Sequence, residues 1–148
     1  MTVDPGLQGT GYAVWRRDRL SAVGVITPPR KGEWWDRAHY VAQNLRAILG
    51  MGDRVYVEHM EYFGGAKSMG WRTGDLQRTT YLEGCIAGSW AQSITIPVPV
   101  RDWKGQLPKD VVIARAKMAL GTKQCQELGI ETHAWDAVGI GLWVQNRL

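Results

Sequence analysis

The sequence predicts a mixed α/β domain, a sheet of antiparallel and parallel strands with helices packed against it. Two β-rich runs near the start, Tyr12 to Arg17 and Leu20 to Thr27, are joined by a tight "RRDR" connection and form an antiparallel pair. Further on, "RVYVEHM" and "SITIPVPV" are separated by helical patterns, and helical crossovers produce parallel neighbours. At 148 residues the chain has the length of one ordinary domain, spanning 1–148, with room for a real core.

The elements follow in order. A short first strand ends on Asp4, and Pro5-Gly6 turns the chain. After the antiparallel pair, "TPPRKG" breaks the ladder, because paired prolines remove its donors. Trp34, Ala38, Val41, Ala42, Leu45, Ile48 and Leu49 then fall on one stripe of an amphipathic helix that Gly50 stops. "RVYVEHM" is a short strand ending in acids. Asp75 is placed to cap a helix running to about Ser89, on which Gly84 and Gly88 would admit another backbone. "SITIPVPV" is a strand that its prolines confine to an edge. "LPKDVVIARAKMALG" is a helix with Pro108 near its first turn and Gly121 at its end. "HAWDAVGIGLWV" closes the chain as a helix rich in small residues. The count is five strands.

Composition narrows the class. Hydrophobic residues make up 45% and charged ones 22%, a globular balance. No run approaches the ~20 apolar residues of a membrane span, and the first residues do not read as a signal peptide, so a cytoplasmic protein is expected. Cys85 and Cys125 show neither CxxC nor zinc-ligand spacing and read as free thiols. A net charge of +4 and a pI near 9.3 lean toward a polyanionic partner. Eight tryptophans exceed what a core of this size needs, leaving some for base stacking or an interface.

Three acids stand at ends of elements that read as buried. Asp4 closes the first strand, Glu58 closes "VYVE", and Asp136 lies one turn into the last helix, with Ala134, Ala137, Gly139 and Gly141 around it. His133 precedes Asp136 by three residues and so shares its helix face. Each has an ordinary reading: Asp4 as a turn residue, Glu58 as a solvated strand end, Asp136 as a charge favoured by the helix dipole, and His133 as a cap or core histidine. Jointly they suggest more, because desolvated carboxylates need a compensating cation. Hard divalent metals prefer oxygen ligands, and two Mg²⁺ about 3.5–4 Å apart would polarise both oxygens of an in-line phosphoryl displacement.

The segments "VDPGLQGTGYAVW", "VYVEHMEYF" and "HAWDAVGIGLW" resemble, in order and spacing, the three signature blocks of RuvC-type Holliday junction resolvases, members of the ribonuclease H-like nucleases. The likeness rests on Asp4-Pro5-Gly6 with Thr10-Gly11-Tyr12, on Glu58 closing its strand, and on Asp136-Ala137 with His133 three positions earlier. It covers nearly the whole chain. The resemblance implies a ribonuclease H-like fold, a five-stranded mixed sheet flanked by helices. It also implies a homodimer in which each subunit nicks one strand of a four-way junction with Mg²⁺, or Mn²⁺ as substitute, leaving 5′-phosphate and 3′-hydroxyl ends. Asp4, Glu58 and Asp136 would then be metal ligands and catalytic groups, with His133 assisting at the fourth position as a ligand or in proton transfer. The short lead "MTV", the tryptophans and "WKGQLPK" suggest a phage-encoded version acting in a bacterial cytoplasm, which could process other branched DNA as well.

Phosphate contacts are expected from "VRDWKGQLPKDVVIARAKM", chiefly Lys104 and Lys109 with Arg101, while Arg115 and Lys117 read as a solvated helix face. The family places a junction-wedging aromatic three residues past the second acid. Here that position is Glu61, with Tyr62 and Phe63 just beyond it as candidates to stack on a base. Rival readings are a broader branched-DNA or flap nuclease and a non-catalytic binder of branched nucleic acid. A third, an actin-like or sugar-kinase ATPase, needs two such domains.

Overall fold

The three-residue strand β1 (Thr2–Asp4) lies at the centre of a five-stranded sheet in a computed structural model that describes residues 1–49, 54–61, 74–90 and 94–148. On one side it pairs antiparallel with β2 (Thr10–Arg16), which pairs antiparallel with β3 (Arg19–Ile26). On the other side it runs parallel to β4 (Val55–His59), and β4 runs parallel to the edge strand β5 (Thr95–Pro99). The order β3-β2-β1-β4-β5 is the expected mixed sheet, with the proline-bearing strand at its edge.

Helices α1 (Trp34–Leu49) and α2 (Asp75–Ser89) cover one face. After β5 come the short α3 (Val100–Trp103), then α4 (Lys109–Leu120), α5 (Thr122–Leu128) and α6 (Ala134–Val144). Val3, Val55 and Val57 point toward Ala38, Val41, Leu45, Leu82 and Ile86, all buried. The alternate residues point the other way, because strand side chains change face at every step. Thr2 therefore meets α6, donating through Oγ1 to the Ala137 carbonyl at 2.6 Å and accepting from the Trp15 indole at 3.1 Å.

Small residues bring α6 onto the sheet. Every residue from Ala134 to Leu142 is buried. A Cβ on Gly11 would land on the His133 carbonyl, one on Gly141 would land in the Trp15 indole, and one on Gly139 would lie 2.7 Å from the Trp103 ring. This close approach carries the first turn of α6, and with it Asp136, to the C-terminal end of β1.

Several expectations change. Gly74, at φ +72°, occupies the cap position of α2, and Asp75 is its first helical residue without a capping hydrogen bond. The glycine reaches the left-handed turn more cheaply than an aspartate does. Ile48 is 40% exposed, off the buried stripe of α1, while the side chain of Leu49 and all of Gly50 lie outside the described residues. The sites of Gly84 and Gly88 face open space, so among the described residues no backbone packs there. Helices α3 and α5 are additional to the elements read from the sequence. Both cysteines are free, and among the described residues no helix is long and apolar enough to cross a membrane.

The two kinds of glycine predict opposite outcomes. Replacing helical glycine by alanine gains about 1 kcal/mol of propensity. At Gly141 the overlap with Trp15 costs roughly 1–3 kcal/mol, so Gly141→Ala lowers the urea midpoint. Gly88→Ala, which meets nothing, raises it. A raised midpoint for Gly141→Ala would show that the indole is not seated against α6.

Candidate active site

The parallel register sets the first contact. Thr2 pairs with Tyr56 and Val3 with Val57, so the next step along both strands brings Asp4 beside Glu58 on the face that α6 covers. Their carboxyl groups are hydrogen-bonded to each other. Asp136, only 6% exposed, lies close enough to add its charge to the same pair. The structure thus brings together three of the residues chosen from the sequence, contributed by three different elements.

Burial is the main reason that Asp4 holds its proton well above the ordinary aspartate range. The charge of Glu58, the hydrogen bond to it and the charge of Asp136 push the same way, and Lys109 opposes them. Positive charge reaches the cluster from the loop after β5. Lys109 Nζ is 2.6 Å from Asp136 Oδ2, and Lys104 Nζ is 3.3 Å from Oδ1, so both oxygens of Asp136 face an ammonium group. Burial works against the charge of Lys109, but its hydrogen bond to Asp136 and the charges of Asp136, Asp4 and Glu58 outweigh it and raise its pKa. The expected phosphate-binding lysines are therefore in the acid cluster itself.

The remaining candidates divide. His133 occupies the cap position of α6 and is exposed, and its imidazole makes no hydrogen bond among the described residues. It lines a groove of about 390 Å³ together with Asp4, Pro5, Leu7, Trp34, Arg37 and Arg78. Arg101 is 3.1 Å from Glu61 and 3.4 Å from Asp102, one step outside the cluster. Glu61 is thereby an ion-pair partner of the basic loop. Tyr62 and Phe63 lie outside the described residues.

Three residues at the site escaped the sequence reading. The buried Trp103 donates its indole N–H to Glu58 Oε1 at 3.2 Å, fixing the second acid from the loop that also supplies Lys104. Arg37 on α1 and Arg78 on α2 line the groove beside Asp4, and Arg37 is held by the carbonyl of Arg30 at 2.6 Å. "RDWK" carried a visible signal, an aromatic beside the chosen lysine. The two arginines carried none, since only the packing of α1 and α2 brings them to the Asp-Pro-Gly loop.

The donor chemistry fits a hard divalent cation: clustered carboxylate oxygens, one of them desolvated against its neighbours. Among the described residues, however, no three His, Cys, Asp or Glu side chains stand so as to chelate one ion, and two lysines supply positive charge at Asp136. The acids form one electrostatic cluster, with lysine as the counterion of Asp136.

Comparison with solved structures bears on the fold. The chain is similar to Thermus thermophilus RuvC at 16% identity and a TM-score of 0.58, over 98% of this chain and 95% of that one. It is also similar to T. thermophilus RuvC in complex with Holliday junction substrate, at 19% identity and a TM-score of 0.63, over 95% of this chain and 88% of that one. No protein-family model matches the chain, and no curated protein does. The fold is RuvC-like, in agreement with the ribonuclease H-like architecture expected from the sequence.

The retained proton on Asp4 sets a pH dependence. Where the unfolded chain has released it and the folded protein keeps it, the folded state binds more protons, so stability falls as pH rises through that window. Asp4→Asn, which needs no proton, is expected to raise the melting temperature at neutral pH and to flatten the decline above the ordinary aspartate range. An unchanged melting curve at neutral pH would place Asp4 in solvent.

Proposed function

We propose that the chain is a metal-dependent endonuclease that cuts branched DNA, with the four-way junction as its substrate. The observation that carries the reading is the clustering of Asp4 with Glu58 and Asp136, the last paired with Lys104 and Lys109. The fold's likeness to a protein solved with Holliday junction substrate supports the choice of substrate.

In this reading Asp4, Glu58 and Asp136 would hold Mg²⁺, or Mn²⁺ in its place, two ions to a site; when bound, the ions would supply Lewis acidity toward the scissile phosphate and a nucleophile at neutral pH. Trp103 keeps Glu58 oriented, so the second acid enters its role with little rotamer freedom left to lose. Lys104 and Lys109 would turn from Asp136 to the phosphate, with Arg101 extending the track along the backbone. His133, exposed at the rim of the groove, would serve proton transfer to or from water. Tyr62 and Phe63 would stack on bases opened at the junction. The products are 5′-phosphate and 3′-hydroxyl ends, and two symmetric nicks require a homodimer.

One observation favours a second reading. With both Asp136 oxygens on lysines and no three-residue chelate among the described residues, the pocket also suits a branched-DNA binder that does not cut. Incubation with a four-way junction, a flap and a linear duplex, each in Mg²⁺, Mn²⁺ or EDTA, separates the two. The nuclease reading expects paired nicks in the junction with either metal and none in EDTA. Binding without product in every metal would leave the binder, and equal cutting of the flap would broaden the substrate class.

Asp4→Asn and Asp136→Asn are each expected to reduce junction cutting to background while binding in EDTA stays within a few-fold of wild type. Cutting retained by either variant removes that residue from the reaction. Light scattering under cleavage conditions is expected to give twice the chain mass of 16.6 kDa, and a single-chain mass would contradict paired cutting.

A further inference from the structure

A second cavity, of about 510 Å³, lies at the other end of the sheet. It is formed where β1 and β4 begin, where β2 turns into β3, and where α6 ends, with Thr2, Trp15, Arg16, Arg17, Arg54 and Tyr56 among its walls. The acids stand at the opposite ends of β1 and β4 and at the start of α6, so none of them belongs to it. Its volume is that of a small-molecule site.

Its chemistry is two-sided. One wall is aromatic: Trp15, seated against Gly141 with its N–H on Thr2, and Tyr56 from β4. The rim is basic. Among the described residues the guanidinium groups of Arg16, Arg17 and Arg54 make no ion pair or side-chain hydrogen bond, although Asp18 is at the same rim. Three arginines around one cavity leave a net positive rim even with that carboxylate counted.

The turn beneath them is strained in a telling way. Arg17 and Asp18 adopt φ values of +48° and +63°, a left-handed pair that usually calls for Asn-Gly. Glycine would relieve the turn and remove the guanidinium. The hydrogen bond from Arg147 to the Asp18 carbonyl, at 2.8 Å, ties the strained turn to the end of α6. Non-glycine residues held in this region concentrate where function uses their side chains.

We propose that this cavity is a nucleotide-binding site, with the phosphate held by Arg16, Arg17 and Arg54 and the base lying against Trp15 and Tyr56. Arginine suits phosphate through its planar fork of donors, and the aromatic wall suits any base. A free nucleotide and the terminal nucleotide of a strand share this chemistry. The proposal stands apart from the nuclease reading, since it uses neither the acids nor a metal.

Calorimetric titration in EDTA tests it, with deoxyadenosine 5′-monophosphate, deoxyadenosine, inorganic phosphate and a 5′-phosphorylated oligonucleotide as probes. Saturable binding of the monophosphate is expected, at least about tenfold tighter than either deoxyadenosine or inorganic phosphate. Arg54→Gln and Arg17→Gly are each expected to weaken it by about tenfold, Arg17→Gly without lowering the melting temperature. Asp136→Asn should leave the affinity unchanged. Tighter binding of the oligonucleotide, lost in the same arginine variants, assigns the site to a strand end; equal or weaker binding assigns it to a free nucleotide. The proposal is overturned if the monophosphate does not saturate, if deoxyadenosine binds equally well, or if both arginine variants bind like wild type while Asp136→Asn does not.

Discussion

Everything at the candidate active site depends on putting carboxylates together where water is scarce. Asp4 and Glu58 are neighbours because β1 and β4 run parallel in a register that leaves their alternate residues on one face. Asp136 joins them because α6 is nearly flush against that face, an approach that needs glycine at 11 and 141. Carboxylates brought together this way repel one another and lose hydration, and the proton kept by Asp4 is the direct consequence. Such an arrangement is costly in a protein that has no use for it. That cost is the physical reason to regard the cluster as functional.

Charge compensation is concentrated in one stretch of chain. Trp103 and Lys104 follow β5 directly, and Lys109 opens α4. Because β5 pairs with β4, the loop leaving it arrives beside Glu58, and the indole and both ammonium groups reach the acids from the same side. The segment therefore orients one carboxylate and neutralises another. Lysine suits the exchange that the proposed function requires, since a flexible ammonium can move between acid and phosphate without the bidentate geometry an arginine would lock in.

Much of this was legible before any coordinates. The apolar run of "VYVE" marks Glu58 as the end of a buried strand, the small residues of "AWDAVGIG" keep Asp136 near the sheet, and the prolines of β5 mark it as an edge. What escaped depended on tertiary packing. Trp103 looks like any aromatic beside a lysine until β5 is docked on β4. Arg37 and Arg78 belong to helices whose amphipathic stripes say which face is buried but not which loop the rim overlooks. Asp75 was misplaced by one position because Gly74 takes the left-handed turn, a choice local composition leaves open. Lys104 and Lys109, expected at phosphate, hold Asp136 in the protein by itself, a pairing that only the docking of α6 reveals.

The fold separates two regions of opposite character. Acids and their lysines gather where β1 and β4 end, and arginines and aromatics gather where the same strands begin. The central claim is that the acids act as one cation-binding unit. It is tested most directly by following thermal unfolding during a Mn²⁺ titration of the wild type and of Glu58→Gln. The account predicts a saturable rise in melting temperature for the wild type that the variant loses. No rise in the wild type, or an equal rise in both, would contradict it.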